Sequence, residues 1–432
     1  MKEISYQVGF GNDFSTEALK GALPIGRNSP QKPAYGLYPE QFSSSAFTEP
    51  RQNNMRSWFY RIRPSVLQGE FVPYGQTRWK SAPLSDPPPS PTPYRWDPMP
   101  KNPAGTDFVD GLFTVAANGS AAQRAGSAVL LYDMNKSMDG RFIYNADGEM
   151  LIVPQKGDIT IRTEQGAMSL SPTYIGVIPR GLKFQVVLDG DHGSGYVLEN
   201  YGAPLKLPNL GPIGANGLAQ PRDFESPVAA YEEVQGDFTL IAKFGGHLFK
   251  APISHSPFDV VAWHGNSAPY RYDLKRFNTI NTVSFDHPDP SIFTVLTSPT
   301  NTPGMANIDF VIFPPRWMVA EDTFRPPYYH RNIMSEYMGL IEGVYDAKTG
   351  GGFQPGGGSL HNCMTAHGPD GDAAKAAIHK ELGPSYQANT LAFMFESSLI
   401  YHATKAALNS GFLQQDYLAC WQDIEVMFQR ER

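Results

Sequence analysis

Apolar residues come in short bursts along this chain, each cut off within a few positions by glycine, proline or a charged side chain. The pattern is clearest between 148 and 188, where 150–153, 158–162 and 184–188 are apolar or alternating segments separated by turn-forming residues. Segments this short predict strands joined by tight turns. A chain built from them suits a β-sandwich or jelly roll better than a doubly wound sheet, whose strands would alternate with long helices. The fold class expected is therefore mostly β. Helical spacing is confined to the C-terminal end, where 372–382, 390–408 and 418–429 carry Ala, Lys, Glu and Leu with apolar positions three and four apart. Three amphipathic helices are predicted there, packed over a second domain.

With 432 residues, 41% of them hydrophobic and 18% charged, the chain can bury a large core, and its length is nearer two domains than one. Composition places the boundary near 280, giving domains at 1–280 and 281–432. The stretch 81–100 (SAPLSDPPPSPTPYRWDPMP) is too rich in proline for a regular element. Tyr94 and Trp96 within it point to a rigid, packed connection rather than a docking peptide.

Charge and cysteine content narrow the function classes. The 35 basic and 42 acidic residues give a net charge of -7, and no run of Lys or Arg is long enough to follow a phosphate backbone, so nucleic acid is not an expected partner. Cys363 and Cys420 are the whole cysteine complement, which implies no disulfide framework and fits a reduced intracellular compartment. Residues 1–14 hold Lys2, Glu3, Asn12 and Asp13 and have no leader-like apolar core. No later apolar run approaches the roughly 18 residues that span a bilayer. A soluble, cytoplasmic protein is expected, with no membrane partner.

The strongest chemical signal is the grouping of His330, His361 and His367 with Glu336. Six residues separate His330 from Glu336, which is about 240° of rotation on a helix or roughly 20 Å along a straight strand. Neither geometry lets both touch one ion. To share a metal the chain must fold back between them, and Arg331 and Asn332 suit a turn. His367 follows a glycine-rich loop (GGGFQPGGGS, 350–359) that could lay the later segment beside the earlier one. That loop lacks the Lys-Ser/Thr step of a phosphate cradle, since Ser359 is followed by Leu360 and His361. Two imidazoles and a carboxylate on one side of a metal leave the other side open, the arrangement of iron(II) enzymes that bind O2 and an organic substrate. Zinc hydrolases use the same donors, and the histidines could equally satisfy core or turn hydrogen bonds. His287, between Asp286 and Pro288, offers a general base held near neutral pKa, or a structural histidine.

Read together, YQVGFGNDF (6–14), RQNNMRSWFY (51–60), FDHP (285–288), PYYHRN (327–332) and PGGGSLH (355–361) resemble the homogentisate 1,2-dioxygenase family, and the resemblance runs from the first ten residues to the C-terminal end. It implies two cupin-like β-domains with Fe(2+) in the C-terminal one, held by His330, Glu336 and His367. It further implies His287 as the proton-accepting catalytic histidine, and Tyr345, His367 and His361 as substrate-binding residues. The reaction implied is cleavage of the ring of homogentisate by O2 to give maleylacetoacetate, in tyrosine and phenylalanine breakdown. A homo-oligomer, commonly a hexamer, goes with the family. Around 145–150 and 177–184, where a metal-binding cupin would place histidines, this chain has none, so one iron per chain is expected.

Two rival readings remain at this point. One is a non-catalytic bicupin, a binding or storage protein with structural histidines. The other is a zinc or manganese enzyme of the same fold, such as an isomerase.

Overall fold

The computed structural model describes residues 4–348 and 352–430. Part of the glycine-rich loop, at 350 and 351, and the first three residues lie outside them. The short bursts of apolar sequence form strands: Glu149–Lys156, Ile159–Thr163 and Phe184–Leu188 occupy the segments expected to be extended. The chain is mostly β.

Three large sheets of nine, seven and six strands lie in layers, with a smaller four-stranded sheet beside them. The nine-stranded sheet is the central layer. Along its Ala125–Met134 strand successive side chains point to opposite faces, as a pleat requires. Val129 and Leu131 enter one core while Leu130 and Tyr132 enter the other. A sheet covered on both faces needs apolar residues at every position, which is why this strand reads as an unbroken run rather than an alternation.

The six-stranded sheet runs Thr294–Pro299, Ala306–Phe313, Thr390–Ser397, Ser335–Gly343, Gly358–His361 and Tyr94–Trp96, every pair antiparallel. Its outermost strand comes from the proline-rich stretch, where Trp96 is fully buried and its indole N–H donates to the Ala407 carbonyl. In return, His402–Ala403 adds an edge to the nine-stranded sheet beside Leu112–Ser120.

The helical expectations at the C-terminal end need correction. Gly371–His379 is a helix, capped by the Asp370 side chain accepting from the Ala373 amide. Residues 390–408 are not one: Thr390–Ser397 is a strand inside the six-stranded sheet, and only Lys405–Leu408 makes a helical turn. Every residue from Leu391 to Phe395 is buried, so the strand lacks the polar alternation that would have marked it, and its Leu, Ala and Met imitate a helix. Within 418–429 the regular structure is the tight turn Tyr417–Trp421.

Ions are buried in the N-terminal half. Lys243, with no exposed surface, places its ammonium 3.1 Å from Asp147 Oδ2 and 2.6 Å from Glu199 Oε1, over the rings of Trp79 and Tyr201. Asn145 Nδ2 also donates to Glu199, and the amides of Gly245 and Gly246 donate to Asp147. Among the described residues no helix is long and apolar enough to cross a membrane.

Burial pushes the nearby Glu149 carboxyl up to about 7, against hydrogen bonds from the Leu205 amide and Asn200. A folded-state value above the unfolded one means that the folded protein keeps its proton where the unfolded chain has lost it. The stabilisation is therefore full at low pH and is lost as pH rises from about 4.5 to about 7, a span of roughly 3 kcal/mol. Glu149→Gln is expected to melt above the parent protein at pH 8, with the gap closing towards pH 4. Melting curves that stay parallel across that range would contradict this assignment.

Candidate metal centre

Glu336 sits near the start of the Ser335–Gly343 strand, directly opposite His361 on Gly358–His361. Beyond these strands the two chains stay joined by a hydrogen bond from the Met364 amide to the Asn332 carbonyl at 2.7 Å and reach an isolated antiparallel bridge between His330 and His367. Both bridge hydrogen bonds are made, His330 amide to His367 carbonyl at 2.9 Å and the reverse at 3.1 Å. Between bridge and strand the ladder is irregular. On one side the Asn332 side chain accepts from the Met334 amide, and on the other Met364 takes a positive φ of 59° within a turn closed by Thr365. This is the fold-back that six residues between His330 and Glu336 demand.

Each ligand-type histidine is oriented by its own backbone. His330 Nδ1 lies 2.8 Å from the Tyr328 carbonyl, and His367 Nδ1 lies 2.8 Å from the Thr365 carbonyl. A carbonyl oxygen only accepts, so Nδ1 carries the proton in both rings and Nε2 keeps its lone pair. Those Nε2 atoms face Glu336 Oε1, at 3.9 Å from His330 and 2.6 Å from His367. His367 Nε2 is buried and has no hydrogen-bond partner despite that short approach. A bare nitrogen against a carboxylate oxygen is repulsive unless a proton or a cation lies between them. The three donor atoms fall within 4.8 Å of one another, close enough to share one ion. The residues therefore fit a metal, and orientation by hydrogen bonds to the far ring nitrogen is the usual support of such ligands. Burial pushes the Glu336 carboxyl up, but a positive charge shared with His367, then those at His330 and Lys348, outweigh it and hold it below the ordinary range.

Other ionisable groups surround the trio. In register across neighbouring strands lie Asp309, Glu396, Glu336 and His361. Burial, followed by the charges of Glu336 and Asp309, pushes the Glu396 carboxyl up to about 8, and Asn332 Nδ2 donates to it at 2.6 Å. His361 stacks flat on His367, with centroids 4.2 Å apart and planes 7° apart. Burial, aided by Lys348, pushes His361 well below its usual value, so it is neutral.

Among the described residues, the remaining expected site residues share no hydrogen bond or ring contact with the trio. His287 meets the edge of Tyr328, whose ring in turn meets His330. Its Nδ1 faces the Pro288 carbonyl, its Nε2 is buried without a partner, and burial lowers its pKa. Tyr345 is buried between Phe313 and Phe353, with its hydroxyl pKa raised by burial and then by Asp346. Sequence reasoning missed Lys348, Glu396 and Tyr417 altogether and took Asn332 only for a turn residue. A lone Lys, Glu or Tyr carries no spacing signal that would have found them.

The whole described chain apart from its ends matches two family descriptions, Homogentisate 1,2-dioxygenase N-terminal over residues 5–274 and Homogentisate 1,2-dioxygenase C-terminal over residues 275–428. The chain belongs to the homogentisate 1,2-dioxygenase family. It is thus an oxidoreductase of the dioxygenase type, and the His330, Glu336 and His367 group is a possible metal site in its C-terminal region. Solved structures to which it is similar include cupins. Protein Ylba from E. coli is 11% identical, with 71% of this chain and 92% of that one covered at a TM-score of 0.29. A deletion mutant of Bacillus subtilis oxalate decarboxylase OxdC is 10% identical, with 72% and 79% covered at 0.30. A cupin 2 conserved barrel domain protein from Leptotrichia buccalis is 9% identical, with 70% and 92% covered at 0.27.

Proposed function

We propose that this member of the homogentisate 1,2-dioxygenase family is an iron(II) enzyme that cleaves the ring of homogentisate with O2, giving maleylacetoacetate in tyrosine and phenylalanine breakdown. The observation that carries the reading is the bare, buried Nε2 of His367 set against Glu336, with His330 completing the donor set. Iron(II) bound by these three residues would supply open positions for substrate and O2 and an electron path between them, which the spin state of O2 otherwise obstructs.

The protein residues would do the rest. Glu336, held ionised, offsets part of the metal charge, while the Tyr328 and Thr365 carbonyls keep both imidazoles turned inward. His287 is assigned as the base that accepts a proton from a ring hydroxyl at Nε2. Its lowered pKa keeps it neutral and its Nε2 is not otherwise engaged. Its loss should slow turnover more than it weakens metal binding. Tyr345 and His361 are assigned to contact the substrate beside His367, so that positioning reduces the barrier.

The test is O2 uptake by protein loaded with iron(II) under anaerobic conditions, after addition of homogentisate, with absorbance of the ring-opened product followed in parallel. Matched O2 loss and product formation are expected. Iron bound with no uptake would overturn the substrate assignment, and failure to bind iron would overturn the metal assignment.

A further inference from the structure

Behind His361, on the side away from Glu336 in the hydrogen-bond chain, lies a tyrosine that the reaction above does not use. Tyr417 opens the Tyr417–Trp421 turn and is buried. Its hydroxyl is 2.8 Å from His361 Nε2 and also receives a hydrogen bond from Lys348 Nζ at 3.4 Å. Lys348 is itself buried and donates a second bond to Ser359 Oγ at 3.3 Å. The Arg95 guanidinium lies 3.9 Å over the Tyr417 ring and holds it flat. On its far side Tyr417 borders a cavity of about 730 Å³ walled by the Gly371–His379 helix and the C-terminal segment.

The direction of the hydrogen bonds follows from what each group can do. Burial pulls the Lys348 amine down only to about 7, so at pH 6 it is an ammonium with three donors and no lone pair and takes the oxygen of Tyr417 as acceptor. The phenol proton is then free to go to His361 Nε2. An Nε2 that accepts the phenol proton bears none of its own, so the ring's proton sits on Nδ1. That atom is buried and has no protein partner. A buried donor left unpaired costs on the order of 1–3 kcal/mol, a cost that a bound ligand would remove.

We propose that Tyr417, working with Lys348, is a positioning residue that fixes His361 in the tautomer with its proton on Nδ1. It thereby keeps a hydrogen-bond donor ready for an oxygen atom of the molecule bound beside His367. The proposal rests on the reading of the site as a metal centre that takes oxygen-bearing ligands. Without the phenol, a neutral imidazole reverts to its usual preference for a proton on Nε2, and the donor becomes an acceptor.

The experiment uses the full chain loaded with zinc, which is redox-inert, and locates the proton by neutron crystallography at pH 6. Deuterium on Nδ1 of His361 is expected in the parent protein and on Nε2 in Tyr417→Phe. Deuterium on Nε2 in the parent overturns the proposal. With iron bound, Tyr417→Phe is expected to lower kcat about ten-fold with metal content unchanged, and an unchanged kcat and pH profile would overturn it. Should the phenylalanine variant not fold, Lys348→Met tests the same relay while leaving the ring under Arg95 in place. If the parent protein takes up no O2 with homogentisate yet carries deuterium on Nδ1, the proposed reaction falls and the tautomer assignment stands.

Discussion

Replacing Glu336 with glutamine is expected to weaken iron(II) binding by roughly 100-fold or more and to reduce turnover at limiting metal in proportion. The amide removes the negative charge that offsets part of the metal's, and it also changes the metal-free state. Its NH2 group can donate to His367 Nε2, the atom that otherwise faces a carboxylate oxygen at 2.6 Å without a partner. The substitution therefore weakens the bound state and steadies the empty one, and both effects act against loading. Anaerobic competition with a chelator measures the first quantity and O2 uptake the second. A variant with parental iron affinity and parental turnover would remove Glu336 from the ligand set.

The second large effect lies in the other half of the chain. Lys243→Met is expected to destabilise the protein by about 3–5 kcal/mol, because it leaves Asp147 and Glu199 buried without their cation. The amides and Asn145 that also hold those carboxylates are partial dipoles and cannot replace a full charge. A fall in melting temperature of roughly 3–6 °C is the expected reading for a chain of this length. Adding Glu199→Gln and Asp147→Asn to the same protein should recover most of it, since the penalty comes from unpaired charge rather than lost volume. If the single variant melts like its parent, the ammonium is not the counter-ion it resembles.

The sequence disclosed the fold where turn residues bracket short strands and hid it where helix-favouring residues fill a buried one. The strands between 149 and 188 were legible because turns bracket them. Thr390–Ser397 was not, since a strand buried at every inner position has no period of two, and residues that also favour helices fill it. The candidate metal ligands were legible as a group of His and Glu in one region, and their spacing demanded the fold-back that brings them together. How that fold-back is made was not legible, because it depends on a ladder that turns irregular at Asn332 and Met364 and ends at a single bridge. Lys348, Tyr417 and Glu396 reach the site through pairing between distant segments, which no local pattern encodes.

The exchange of edge strands has a consequence for how such a chain can change over time. Tyr94–Trp96 closes the sheet next to the segment that carries His361, and His402–Ala403 closes the nine-stranded sheet in return. Each half wears a piece of the other, like two hands with interlaced fingers. A C-terminal half spliced away from its partner would present an open strand edge beside the metal centre, ready to pair with any neighbouring chain. The half with the candidate metal centre is therefore not a portable cassette. Recombination between distant relatives would have to carry both halves together, and a substitution at 94–96 would have to be accommodated by its pairing partners at 358–360.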